Sequence, residues 1–428
     1  MKLYSRIIAT GLVILAVGSI GGTTPAQAKV SGLEWASSMW AKQYIVTKGP
    51  IYKSLSLKKK SKAKQKIFWS DTMYTLNFTN GKHASYRQLV KKNGHLVGYV
   101  AKSRVKKLKD SDHRSAAYKN KVKKAKAKAK KAKAAEKKAF TTSERKQIAT
   151  YRRQVKQIAN TTKGMYAQKP SVKSHFTPGK LSAKYVNATV DSINFYRSMY
   201  GLPRVTADAS WNTEAQYGAA TLAAADKGLS HGLVGLNRPS FVSTTDWQRG
   251  VDATNSSNLS EGLAKPYDNI LGYVNDGNNM TTIVPGHREW VLGGIAKVGV
   301  GQANDYNDLK VFGSHDGSYT PSTVAFPKAG VFPKQAATGT VWSVSFGHDL
   351  GSNAAKPTVE VTDNTSHKNV HVSQVGISGD AYGQFGTTVY YQPADSQVKR
   401  NHTYTIKISN IAHQPDMTYK TKLFDLKK

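Results

Sequence analysis

The sequence predicts an α+β protein with its helices gathered in the middle and strand-rich segments at both ends. Three observations carry that expectation. Residues 43–108 hold short β-branched and aromatic runs punctuated by Gly49-Pro50, Asn80-Gly81 and Asn93-Gly94, and Asn-Gly is the strongest short hairpin signal. Between about 183 and 301, apolar residues at helical spacing give way to strand alternation near Val298-Gly-Val-Gly301. From 321 to 428, six short alternating runs recur with turn residues between them, the pattern of an immunoglobulin-like β sandwich.

Residues 1–28 read as an export signal. Lys2 and Arg6 give a positive start, Ile7 to Ile20 an apolar stretch, and Ala26-Gln27-Ala28 a small-residue cleavage site. The apolar stretch falls short of the ~20 residues a membrane span needs, and no later segment approaches that length. The mature chain is therefore expected outside the membrane with no transmembrane segment. There is no cysteine, which excludes a thiol nucleophile, cysteine-ligated zinc, disulfides and lipid attachment through cysteine. An exported cysteine-free chain of this size points to a bacterium. Phe424 to Lys428 carry neither a hydrophobic tail nor a sorting pentapeptide, so covalent wall anchoring is not expected.

Charge divides the chain. Residues 29–180 hold 40 Lys and Arg against 6 Asp and Glu, whereas residues 181–428 hold 21 against 20. The basic front splits into a small β barrel at 29–110 and a Lys/Ala-rich tether and linker at 111–182. In the run Lys121 to Ala135, lysines three and four apart repel, and no apolar stripe is visible. A solvated tether, partly helical or disordered, is expected there. Lysine clusters first suggest nucleic acid, but an export signal argues against it as the working partner. The accessible polyanions outside a Gram-positive cell are teichoic acid-like wall polymers. Anionic lipid headgroups are a second partner class, at about 1 kcal/mol per basic residue near the surface, and a plain soluble spacer is the bland one. Trp69, Tyr74, Tyr86 and Tyr99 suit either sugar stacking or the core of the barrel.

In the middle region Val186, Val190 and Ile193 share one helical face, as do Ala215, Ala219, Leu222 and Ala223 in the next helix, which Gly228 is placed to end. Ile270 and Val274 define a third helix that brings Asp276 to its C-terminus, and Ala296, Val298 and Val300 alternate as a strand. Four polar residues stand in short strings that present them: Leu229-Ser-His231-Gly, Ser260-Glu261-Gly262, Tyr273-Val-Asn-Asp276 and Gly286-His287-Arg288. Two imidazoles and two carboxylates can hold a divalent cation or share protons as acids and bases. Structural alternatives stand beside each: a buried imidazole holding a loop, or, for Asp276, a solvated carboxylate opposing the helix dipole. The His-Glu-x-x-His layout of zinc peptidases is absent, Ser230 and His231 are too close in sequence to face each other, and no nucleophile elbow occurs.

These strings and their order, preceded by Asn194-Phe-Tyr-Arg197 and Gly201-Leu-Pro203, resemble the CAP superfamily (the SCP-like domain) in its bacterial branch over about residues 183–318. Carried over, His231 and His287 match the two cleft histidines and Glu261 the first cleft glutamate. Asp276, three after Tyr273, stands where the family usually has Glu three after Trp, and Ser260-Glu261-Gly262 replaces the usual Gly-Glu-Asn. The resemblance implies an α-β-α sandwich at 183–320 and a β sandwich at 321–428, whose junction Val324 to Pro333 resembles a frequent bacterial appendage. It also implies zinc or another divalent metal on His231 and His287, or a small apolar or lipid ligand in the cleft. Residues 93–103 resemble the last hairpin of bacterial Src-homology-3-like wall-binding domains. The expected protein is secreted and cell-wall associated, binding through its basic front. A hydrolase acting on peptides or wall material through His231, His287 and Glu261 is the competing class.

Overall fold

The computed structural model describes residues 28–47, 49–61, 67–91, 93, 95–108, 116–280, 282–315, 319, 321–351, 356–379 and 382–426. The expected export signal thus lies almost wholly outside the described residues, and among them no helix is long and apolar enough to cross a membrane. The chain divides into two compact units, Met1–Ala129 and Lys130–Lys428.

In the first unit, strands Val30–Val46, Ile67–Phe78, His83–Val90, Leu96–Ala101 and Val105–Lys107 form one antiparallel sheet. Leu96–Ala101 and Val105–Lys107 are its two edges, and no ladder joins them among the described residues. Ile51, Phe68, Leu89 and Val100 make the apolar core. Because side chains alternate along a strand, Tyr86 and Gln88 point away from Leu89. Tyr74 lies opposite Tyr86 in the ladder and Tyr52 opposite Tyr99, and the rings meet edge-on at 5.7 Å (Tyr74–Tyr99) and 6.3 Å (Tyr52–Tyr86). Three of these tyrosines are half-buried and Tyr86 is buried, so they form an aromatic row beside the core and not its centre. Gly98 lets the Tyr52 and Tyr99 backbones pair: a Cβ there would meet the Tyr52 carbonyl at 2.2 Å.

The Lys/Ala run is a single helix, α1 (Ala116–Ala139), whose described side chains are nearly all exposed up to Ala139. Helix α2 (Thr142–Gln157) departs from the expected tether. It opens with a capping box between Thr141 and Glu144 and buries Ile148 and Tyr151, together with the preceding Phe140, in the main core. The apolar positions 148, 151 and 155 are spaced as a helical stripe that the surrounding lysines and arginines mask in any composition count. Arg152 grips Glu136 with two bonds of 2.9 Å and so joins the two helices.

Strands Thr206–Ala207, Lys297–Ala303, Tyr306–Lys310 and Ser257–Ser260 form a four-stranded sheet in that order. Helices α3 (Ala183–Met199), α6 (Pro266–Asn275) and α7 (Gly286–Leu292) pack on the face carrying Val298, Val300 and Leu309. Helices α4 (Ala209–Ala225) and α5 (Thr244–Asn255) cover the other. The glycines of Val298-Gly-Val-Gly301 explain how close α4 comes: a Cβ on Gly299 would meet the Trp211 carbonyl at 2.4 Å, and one on Gly301 the Ala215 carbonyl at 2.0 Å. Asn194 and Arg197 hold this layer together. Asn194 bonds both ways with the Val205 backbone, and the fully buried Arg197 guanidinium is shared among the carbonyls of Pro203, Val291, Gly293 and Ile295. Helix α4 ends on Asp226 in the left-handed conformation and not on Gly228, which follows two residues later.

The C-terminal region folds into two sheets. One runs Thr323–Phe326, Trp342–Phe346, Thr387–Pro393, Val372–Ser378; the other runs Gly330–Pro333, Met417–Phe424, Thr403–Ser409, Thr358–Asp363, Lys368–Val370. Trp342 of the first stands 5.8 Å from Tyr404 of the second, and Phe326 5.1 Å from Phe332. The same core continues into α2, α3, α6 and α7, so these sheets and the middle region share one hydrophobic interior.

Candidate functional site

His287 sits in the first turn of α7 and is half-exposed, with 22% of its side chain accessible. Its Nδ1 lies 2.7 Å from Oδ1 of Asp276, whose side chain is only 1% exposed. Asp276 is the left-handed residue that ends α6, so the turn aims its carboxylate back at α7, and Oδ2 accepts the Arg288 backbone N–H at 3.3 Å. Asp276 is therefore not the solvated end-of-helix carboxylate its position in sequence allowed. The Tyr273 ring flanks His287 at 5.5 Å. The Tyr273 hydroxyl donates to Asn307 Oδ1 at 2.7 Å and lies 3.0 Å from the Asn258 carbonyl. Asn307 in turn meets Gln302, which is also bonded to Asn269 and Tyr185, so a buried polar network stands behind the pair.

His231 follows α4 in a short 3-10 turn, His231–Leu233, and is exposed. Its Nδ1 lies 2.8 Å from the Thr254 carbonyl at the end of α5. Four residues on, Asn258 Nδ2 donates to the His287 carbonyl at 3.1 Å. Both histidines are thus tied to the stretch 254–258. A carbonyl or carboxylate oxygen only accepts, so each Nδ1 must carry its hydrogen and each neutral imidazole presents an unprotonated Nε2. Gly232, in the left-handed region, has no room for a Cβ because Asn255 Oδ1 would stand 2.6 Å from it.

Glu261 is exposed. Its carboxylate borders Gly228 and the Tyr306 hydroxyl. That hydroxyl also lies 3.3 Å from Asp226 Oδ1, and burial together with the Glu261 hydrogen bond pushes its pKa up to about 12. The structure therefore joins His287 to Asp276, attaches His231 to the adjoining backbone, and leaves Glu261 near the base of the His231 loop.

Among the described residues, no three His, Cys, Asp or Glu side chains come together to hold a metal. Asp276 has both oxygens engaged, Oδ1 with His287 Nδ1 and Oδ2 with the Arg288 backbone N–H. A hydrogen bond at Nδ1 fixes the orientation of each imidazole ring. Two bulky apolar side chains stand out on the flanking loops: Val234, 77% exposed, and Met280, 86% exposed. A separate cavity of about 420 Å³, lined by Arg204, Thr206, Ile295, Lys297, His315 and Tyr319 among others, includes none of the four residues.

Sequence reading missed Thr254, Asn258 and Tyr273 as supports of the histidines. Their only signal was position, at the end of a helix, in a strand and one turn before Asp276.

A helix–sheet–helix domain carrying a histidine–aspartate pair is the class the geometry defines. The family model described as CAP, cysteine-rich secretory protein family, matches residues 190–315, and the chain accordingly contains a CAP domain. No curated protein and no solved structure matches the chain.

Proposed function

We propose that this is an exported, cell-wall-associated CAP-domain protein of the bacterial branch that binds anionic wall polymer through its basic N-terminal half and a ligand in its CAP cleft. The observation that supports the cleft reading is the commitment of both Nδ1 atoms to acceptors, which leaves the neutral rings of His231 and His287 each an Nε2 lone pair for a ligand. A divalent cation such as zinc would be held by these two nitrogens, with solvent or ligand oxygens completing the shell; bound, it would polarise a ligand carbonyl or phosphoryl oxygen. Met280 and Val234 fit the apolar portion of a small or lipid-like ligand. The basic front is supported by α1, which exposes lysines on every side and buries no apolar face. Such a helix fits a flexible polyanion, whose phosphates release counterions as ammonium groups replace them.

Calorimetric titration of the full chain with zinc tests the cleft. Binding that disappears in a His231→Ala/His287→Ala variant supports the reading, and equal heat in the variant sinks it. For the front, wall preparations should retain the chain at low salt and release it at high salt; retention unchanged in molar salt removes the electrostatic reading.

One observation also favours hydrolysis. An imidazole whose Nδ1 is held by a buried carboxylate is oriented as a general base toward water at Nε2. Activity on wall fragments or casein that vanishes in His287→Ala would establish that second reading.

A further inference from the structure

Both residues of the His287–Asp276 pair are gripped from behind by the C-terminal β region. Asn275, immediately before Asp276, donates its side-chain amide to the carbonyls of Ala336 and Thr338, each at 2.8 Å. Its own carbonyl accepts from Arg288 Nη2 at 2.6 Å and from the Thr340 hydroxyl. Gly277, immediately after Asp276, lies so close to Gly339 that a Cβ would meet its carbonyl at 1.8 Å. Arg288, immediately after His287, is fully buried. Its guanidinium reaches the Val274 carbonyl (2.7 Å), Thr340 Oγ1 (2.7 Å) and Ser343 Oγ (3.2 Å), and lies 3.7 Å from the centre of the Phe326 ring. Gly286, just before His287, packs against the Tyr382 ring.

We infer that the C-terminal β region is a working part of the candidate site: residues 336–343 and Arg288 are positioning residues that hold Asp276 against His287 Nδ1. The inference rests on the reading that His287 presents Nε2 to a ligand.

The physics is local. Asp276 sits at a left-handed helix end, and nothing within α6 itself fixes the direction of its carboxylate. Direction comes from the peptide units on either side, and those units are bonded to 336–340. The Arg288 guanidinium cannot turn without breaking bonds to Val274, Asn275, Thr340 and Ser343 together, so its backbone N–H stays aimed at Asp276 Oδ2. Two contacts to Asp276, from His287 Nδ1 and Arg288 N, therefore depend on a segment some 60 residues further along the chain.

The cations lining the 420 Å³ cavity already have partners: Lys297 pairs with Asp208 at 3.0 Å and Arg204 with Asp191 at 3.5 Å. The tyrosine row of the first unit has nothing in the structure that says what covers it.

The test is the tautomer of His287 in the full chain, read from the ring nitrogen shifts of ¹⁵N-histidine-labelled protein and assigned with His287→Gln. In its neutral form the wild-type ring should carry its hydrogen on Nδ1 and leave Nε2 bare. Thr340→Val keeps the shape of the side chain and removes its bonds to Asn275 and Arg288; Arg288→Lys keeps the charge and removes the fork. In either variant, the proportion of the Nε2–H tautomer should rise at least several-fold, while Thr340→Ser, which restores the hydroxyl, returns the wild-type pattern. If Arg288→Lys does not fold, the two Thr340 variants decide alone. A folded Thr340→Val protein with the wild-type tautomer overturns the inference, as does a wild type whose neutral ring carries its hydrogen on Nε2. Zinc binding is a separate readout: its absence, with the tautomer still responding to Thr340, removes the proposed cleft ligand and leaves the positioning role standing.

Discussion

Replacing Asp308 by asparagine should make the protein's stability less sensitive to pH between 5 and 8. Asp308 lies in the strand Tyr306–Lys310 with its carboxyl fully buried, facing Gly218 of α4, where a Cβ would come within 1.9 Å of Oδ2. Neither oxygen has a hydrogen-bond partner. The nearby Ser257 hydroxyl gives its hydrogen to the Ala253 carbonyl at 2.8 Å, so it does little for an anion. Burial pushes the Asp308 pKa from the model-compound 3.8 up to about 8, against the pull of Lys310, which is itself paired with Glu214 at 2.7 Å. The folded chain then keeps a proton that the unfolded chain loses above pH 4. Its contribution is fully present below the unfolded value and is lost as pH rises through the folded one. Each pH unit in that window lowers stability by about 1.4 kcal/mol, so Asp308 contributes a fall of a few kcal/mol from pH 5 to pH 8, a ceiling because water entering the site would relieve it. Denaturant titrations of both proteins across this range measure the difference. Any constant packing cost of asparagine cancels when slopes are compared, and all other titrating groups are common to both chains. Parallel pH profiles would refute the reasoning, showing that Asp308 ionises inside the fold without penalty.

Other consequences follow from the packing. Glu289, buried between α7 and the C-terminal sheets with its pKa raised to about 8 chiefly by desolvation, should behave in the same sense; a Glu289→Gln variant with an unaltered pH profile would contradict that. Gly301→Ala should destabilise the fold by about 1–3 kcal/mol or more, since the α4 backbone must retreat from the strand; a loss under about 0.5 kcal/mol in denaturant titration would disprove the contact. Removing residues 321–428 should abolish cooperative unfolding of the remainder, because Phe326, Trp342 and their neighbours complete the core under α3, α6 and α7. A truncated chain with a sharp thermal transition and native near-ultraviolet circular dichroism would show that the middle region closes its core alone.

How much of this was legible beforehand depended on range. Local signals placed three helices of the middle region, though not α5, together with the strand at Val298–Val300, the C-terminal strands and the arrival of Asp276 at a helix end. The string Asn194-Phe-Tyr-Arg197 resembled a family pattern, and the structure gives it a physical reason, since Arg197 and Asn194 stitch α3 to the loops beside it. Helix α2 was misjudged because its stripe of Ile148, Tyr151 and Val155 is diluted by basic residues, and only a surface to pack against reveals it. The end of α4 fell on Asp226 because an aspartate also tolerates the left-handed conformation, and Tyr306, far along the chain, is there to meet its carboxylate.

By itself, the sequence determined the charge division, the absence of thiol chemistry, the helical and strand periods, and which polar residues merited attention. Those are properties of composition and spacing, and they survive whatever the chain does at long range. Tertiary structure alone decided that Asp276 turns to His287, that Glu261 meets Tyr306, and that Asn275 and Arg288 are held by residues 336–343. A side chain's partner is set by where distant backbone segments converge, and hydrogen bonds of 2.7–2.8 Å between residues more than fifty positions apart leave no periodic trace to read.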